Sequence, residues 1–167
     1  MDISDMAKYK GNFTHIHFAF ANITNDMKID IEDVKFSFNA FVRLGGFKRI
    51  ILSFGGWAFS TATKRFPTFR NGVTDAQRQK FANNVINFLK LHDLDGLNFD
   101  WGYPGAPDLP GIPPSSPEDG ANNVKFLKKV KKQLPAGKIL LVAMPASFWY
   151  LRGFHPISAF ADVVDYY

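Results

Sequence analysis

The sequence predicts an α/β fold built from parallel βαβ units. Two observations predict it. Five short apolar segments with strand character alternate with longer segments of helical period, the pattern of strands joined by crossover helices. The hydrophobic fraction is 46% over 167 residues, enough to bury a core in one domain. Doubly wound sheets and (β/α)8 barrels both fit this alternation. A complete barrel needs eight strands and ~200 residues or more, so five strands would be part of one. Neither G-x-G-x-x-G nor G-x-x-x-x-G-K-[ST] occurs, which argues against a nucleotide-binding sheet.

The elements follow in order. "FTHIHFAF" (13–20) alternates and is β-rich;. "IEDVKFSFNAFVRLGG" (31–46) sets Val34, Phe38, Phe41 and Val42 on one helical face and ends at Gly45-Gly46, a C-cap pattern;. "FKRIILSF" (47–54) is the second strand. "TDAQRQKFANNVINFLKLH" (74–92) is the clearest helix: Thr74 and Gln77 form a capping-box pattern, and Phe81, Val85, Phe88, Leu89 and His92 keep the period;. A third strand spans 94–101. The loop 103–120 then holds six of the ten prolines. Ser116-Pro117 opens a helix in cap-then-N1 order that runs to Leu134;. "KILLVAMPA" (138–146) is a strand, 153–161 a short helix or turn, and "DVVDYY" (162–167) begins a fifth strand.

Composition excludes several function classes. The net charge of +5 owes much to "KFLKKVKKQL" (125–134), whose lysines surround an apolar helical stripe and read as a solvated face. No basic–aromatic interleaving or nucleic-acid motif accompanies it, so no nucleic-acid partner is expected. There is no cysteine, which excludes disulfides and thiolate chemistry. No apolar run approaches the ~18 residues of a membrane span, and mean hydropathy is −0.11. No membrane partner is expected, and no protein partner is identifiable. The N-terminus lacks the pattern of a signal peptide, and localisation stays open. The sequons at Asn12 and Asn22 matter only in a secreted chain.

The segment "DLDGLNFDWGYPG" (93–105) carries the chemistry. Strand period places Asn98, Asp100 and Gly102 on one face and Leu97, Phe99 and Trp101 on the other. In a barrel the apolar face meets the helices, and the polar face points inward near the C-terminal mouth, where barrel active sites lie. A carboxylate there needs partners or a ligand; a capping or turn aspartate at a strand end is the plainer reading of Asp100.

"LDGLNFDWGYP" resembles the D-G-x-D-x-D-W-E-Y-P strand of glycoside hydrolase family 18, the chitinases. Asp95, Gly96, Asp100, Trp101, Tyr103 and Pro104 stand in register. "ILSFGGWAFS" resembles the family's S-x-G-G-W segment, "FTHIHFAFANI" its second strand, "MPASFWYLRGF" its fifth and "DVVDYY" the start of its sixth. The resemblance is nearest to the fungal chitinases. It implies a partial (β/α)8 barrel, about strands 2 to 6 of eight, with residues 1–167 as a single incomplete domain. It places the first strand before Met1, "MDIS" resembling an internal segment of fungal relatives, and the remaining strands after Tyr167. It implies two unpaired sheet edges, near 13–20 and 162–167, marginal stability unless a partner completes the sheet, and a Gly102→Glu variant without full activity.

The family's reaction is the substrate-assisted exception to two-carboxylate glycoside hydrolysis. A glutamic acid protonates the glycosidic oxygen and the substrate's N-acetyl group attacks the anomeric carbon. By resemblance, Asp100 matches the aspartate that orients the acetamido group. Asn98 stands where a second aspartate is usual, still able to hydrogen-bond to Asp100. Gly102 stands where the glutamic acid is usual and offers no proton. Trp57, Tyr103, Gly55, Gly56 and Asp95 complete the expected substrate-binding set, with Asp95 at the strand's start, where a structural role is expected. The implied ligands are chitin or N-acetylglucosamine oligosaccharides, with no cofactor and no metal.

The chain has two glutamates, Glu32 and Glu118. Both sit near helix starts, where acids favour the dipole, as Asp119 does. Asp108 lies in the loop on the site's side; a substitute acid would need to come within about 3 Å of the glycosidic oxygen. Trp101 has the parity of a helix-facing residue. Core packing and sugar contact are both open for Phe148, Trp149 and Tyr150. His15 and His17 share one strand face and read as satisfied interior histidines. Three functions are therefore expected to compete: a non-hydrolytic chitinase homologue, an active chitinase with a substitute acid, and a truncated product without independent function.

Overall fold

A computed structural model describes residues 3–167; Met1 and Asp2 of "MDIS" lie outside them. The sheet contains β1 (His15–Ile23), β2 (Ile29–Asp30), β3 (Arg49–Gly55), β4 (Gly96–Asp100) and β5 (Ile139–Val142) in the order β2-β1-β3-β4-β5. β1, β3, β4 and β5 run parallel, and β2 pairs antiparallel with the end of β1. Register sets Ser53 beside Asn98 and Gly55 beside Asp100.

One sheet face is covered by helices. α1 (Lys35–Val42), α4 (Asp75–Leu91) and α5 (Asp119–Gln133) pack on a core containing Phe18, Leu52, Phe54, Leu97, Phe99 and Leu140. Phe81 stacks on Phe126 at 4.5 Å and meets Phe99 edge-on, so many of the phenylalanines are spent on the helix–sheet interface. The short helices α2 (Trp57–Thr61), α3 (Pro67–Gly72), α6 (Phe148–Leu151) and α7 (Ile157–Ala161) complete the connections.

The sheet curls like part of a barrel. His15 of β1 and Tyr166 beyond β5 bring their rings to 5.9 Å, although β3, β4 and β5 lie between them. In a flat sheet four steps of ~4.8 Å would hold those strands ~19 Å apart. This curl, with helices on the outer face, decides between the two architectures in favour of the barrel segment.

Several expectations are corrected. The strand expected at 162–167 is a single parallel bridge from Tyr166 to Leu141, with Asp165 N–H donating to Leu140 O at 2.8 Å. Val163 and Val164 instead give their N–H groups to Phe160 O, closing the turn after α7. β2, absent from the sequence reading, covers the C-terminal part of the β1 edge at Asn22 and Ile23. The helix expected to 46 starts with a 3-10 turn (Glu32–Val34) and α1 ends at Val42. Thr74 precedes α4, but its hydroxyl donates back to Asn71 O at 2.6 Å instead of closing a capping box. Ser116 Oγ accepts the Glu118 N–H at 3.2 Å, and α5 begins at Asp119.

Candidate functional site

The site lies at the C-terminal ends of β3 and β4. β4 alternates as its sequence dictates: Leu97, Phe99 and Trp101 are buried against the helices, while Asn98 and Asp100 are half-buried on the inner face. Trp101 stacks on Phe69 of α3 at 5.6 Å, which makes it core. Burial pushes the Asp100 carboxyl above the usual carboxylate range;.

Asn98 does not turn toward Asp100. Its Nδ2 donates to Ser53 Oγ at 3.0 Å, and Ser53 Oγ faces His17 Nδ1 at 3.3 Å. Burial and the adjacent His15 lower the His17 pKa, which favours the neutral ring beside a hydroxyl. The inner face thus carries a row of His17, Ser53 and Asn98 that leaves Asp100 free at the mouth. Ser53 is a site residue missed in the sequence; its signal was its place two residues before Gly55, which puts it on the same face as Asn98.

Gly55 and Gly56 fix the turn from β3 into α2. Gly55 lies at φ +103°, and a Cβ there would overlap the Asp100 carbonyl oxygen. That same carbonyl accepts the Gly56 N–H at 2.8 Å. The turn projects Trp57, which is 57% exposed, to 6.0 Å from Tyr103. Tyr103 in turn stacks on Tyr150 at 4.3 Å with an interplanar angle of 13°. The 148–151 segment buries none of its residues: Phe148 and Trp149 are exposed, and Trp149 Nε1–H donates to Asp108 Oδ2 at 2.7 Å. Trp57, Tyr103 and Tyr150 form an aromatic wall beside Asp100.

Gly102 is buried, and its N–H donates to Ser60 Oγ at 2.9 Å. A Cβ built there meets only that oxygen, at 3.9 Å, and the backbone has no left-handed φ. Neither space nor conformation requires glycine at this position. Beside the turn, a cavity of about 280 Å³ is lined by Phe20, Asn22, Gly55, Phe59 and Arg65, with Arg65 donating to Asn22 Oδ1 at 2.8 Å.

Asp95 is not brought to the site. It sits just before β4, at the opposite end of the strand, where Oδ2 accepts the Ile50 N–H at 2.9 Å and Oδ1 lies 3.3 Å from Lys138 Nζ. Of the substrate-binding set implied by the resemblance it alone lies away from the mouth; its geometry is the structural one expected at the strand's start and joins β3, β4 and β5 at their N-terminal ends.

The curled parallel sheet carries an aspartate and aromatics at the C-terminal ends of its strands, where barrel active sites lie. Residues 3–167 match the model of the Glycosyl hydrolases family 18, and the chain belongs to that family. It is 46% identical over 159 residues to "Probable chitinase LysM18" of Penicillium expansum, covering 92% of this chain and 11% of that protein. It is 48% identical over 157 residues to "Killer toxin subunits alpha/beta" of Kluyveromyces lactis, covering 93% of this chain and 13% of that protein. The chain therefore spans little more than a tenth of these curated relatives. Among solved structures, a Rhizomucor miehei chitinase superposes with a TM-score of 0.71 at 29% identity, over 92% of this chain and 49% of that one.

Proposed function

We propose that the chain is a chitinase-like, non-hydrolytic member of its family that holds N-acetylglucosamine oligomers of chitin at the β3–β4 mouth. One observation carries this reading: Gly102, two residues beyond Asp100 and past the end of β4, has no side chain to donate a proton. General acid catalysis needs a titratable group within hydrogen-bond reach of the leaving oxygen. What supports binding is the Asp100 carboxyl, poised for an acetamido group, beside the Trp57–Tyr103–Tyr150 wall, whose rings suit the apolar faces of sugars. In this reading Gly55 and Gly56 shape the turn, Asn98 keeps the inner face polar without a second charge, and residues 1–167 supply part of the family's barrel unit.

The partners of two other acids support this reading. Asp108 accepts the Trp149 indole N–H, and Glu32 pairs with Lys35 at 3.0 Å at the start of α1. Pull-down on insoluble chitin tests the binding: the folded chain is expected in the pellet, and a folded chain remaining in the supernatant favours a product without independent function.

A further inference from the structure

The loop that follows the site strand has its own closure. Residues 103–118 contain no helix or strand, yet the loop's two sides meet, with Ser115 N–H donating to Ala106 O at 2.8 Å. Such a neck is the mark of a compact Ω-loop. Asp119, the first residue of α5, stands beneath it and is only 4% exposed. The backbone N–H groups of Gly105 and Ser116, one from each side of the neck, act on its carboxyl and pull its pKa down. Arg70 of α3 holds the returning side, with its guanidinium donating to Pro113 O at 2.9 Å and Pro114 O at 3.2 Å, and its charge faces Asp119. The outgoing side is wedged as well. Gly153 lies so close to Pro104 O that a Cβ would overlap it, and Gly120 packs against Gly153 O in the same way.

A first-turn acid that serves the helix dipole is usually exposed and contributes ~0.3–1 kcal/mol. Asp119 is buried, and its Oδ2 has no partner among the described residues, nor has Asn123 Nδ2 one turn on. Burying a carboxylate is costly, so a dipole role alone does not account for it. The neck it closes lies two residues from Tyr103, whose ring stacks on Tyr150 and meets Trp57 at a tilt.

We propose that Asp119 is a positioning residue which, with Arg70, locks the neck of the 103–118 loop and so holds Tyr103 in the sugar-facing wall. The consequence for sugar affinity rests on the binding function proposed above; the lock itself does not. Burial raises the Asp119 pKa against the opposing pulls of Arg70 and of the Gly105 and Ser116 backbone groups.

Peptide-level hydrogen exchange on the whole chain, with Asp119→Ala and Asp119→Asn, tests this. Asp119→Ala is expected to speed exchange within 103–116 while leaving α4 protected, and to weaken binding of an N-acetylglucosamine pentamer about tenfold. Asp119→Asn keeps one acceptor oxygen and is expected to restore most of both. Unchanged exchange in 103–116, or equal loss throughout α4 and α5, overturns the proposal. If Asp119→Ala fails to fold, Arg70→Gln must speed exchange in the same segment, and its failure to do so overturns it equally. A wild-type chain that binds no pentamer would refute the proposed function while the exchange data still decide the lock.

Discussion

Gly55 and Gly102 lie close together in space but differ in what a side chain would meet, and this difference sets a sharp prediction. At Gly55, alanine must adopt φ +103° and place its Cβ into the Asp100 carbonyl oxygen. The conformation costs roughly 1–3 kcal/mol, and displacing packed backbone adds about 1–3 kcal/mol. Gly55→Ala is therefore expected to cost about 2–6 kcal/mol, much of the ~5–15 kcal/mol that holds an ordinary domain together. At Gly102 the nearest atom to a new Cβ is Ser60 Oγ at 3.9 Å. Alanine there loses less unfolded-state entropy on folding and is expected to stabilise by ~0.4–1 kcal/mol. Thermal unfolding by circular dichroism separates the two: Gly55→Ala should melt roughly 10 °C lower, and Gly102→Ala at or a few degrees above the wild-type Tm. If Gly102→Ala melted as low as Gly55→Ala, Gly102 would be a structural glycine, and its reading as an acid position occupied by glycine would fail.

Other outcomes follow from the same geometry. Trp57→Ala should change stability by less than ~0.5 kcal/mol, because the ring is exposed;, yet weaken N-acetylglucosamine oligomer binding about tenfold by calorimetry. Asp100→Asn should raise the Tm at pH 7. Burial raises the folded-state pKa, so the ionised carboxyl opposes folding above that pKa; the gain should shrink as pH falls and vanish below the unfolded value near ~4, and a gain that grew on acidification would refute the sign. Asp95→Ala should destabilise by ~1–3 kcal/mol in denaturant unfolding, because the buried end of the sheet loses the Ile50 and Lys138 contacts;, while leaving oligomer affinity within about threefold of wild type at a temperature where the variant is folded.

The sequence carried the site strand and the main helices well, for reasons that particular residues show. The alternation of Leu97, Phe99 and Trp101 with Asn98 and Asp100 survives intact because β4 is buried on one face only. The periodic run of 74–92 becomes α4 within one residue at each end. The losses fall where a local pattern competes with a tertiary demand. "DVVDYY" has strand composition, but its valines fill the core below α7 and their N–H groups close a turn. Thr74 has the right spacing for a capping box, but its hydroxyl finds Asn71 O first. Asp119 read as a helix-dipole acid because no sequence pattern reports that a proline-rich loop folds back over it. The aromatic segment 148–150 reads equally as core or as sugar contact in sequence; in the fold none of it is buried and Tyr150 stacks on Tyr103.

The central claim is that this site grips an acetamido sugar and lacks the proton donor to cut it. The most direct test is release of chromophore from a chromogenic N-acetylglucosamine oligomer by the purified, folded chain, measured against a blank without protein. The predicted release equals the blank across the pH range in which the chain remains folded. Release above the blank that scales with protein concentration and persists through repurification would contradict the claim and require an acid other than residue 102.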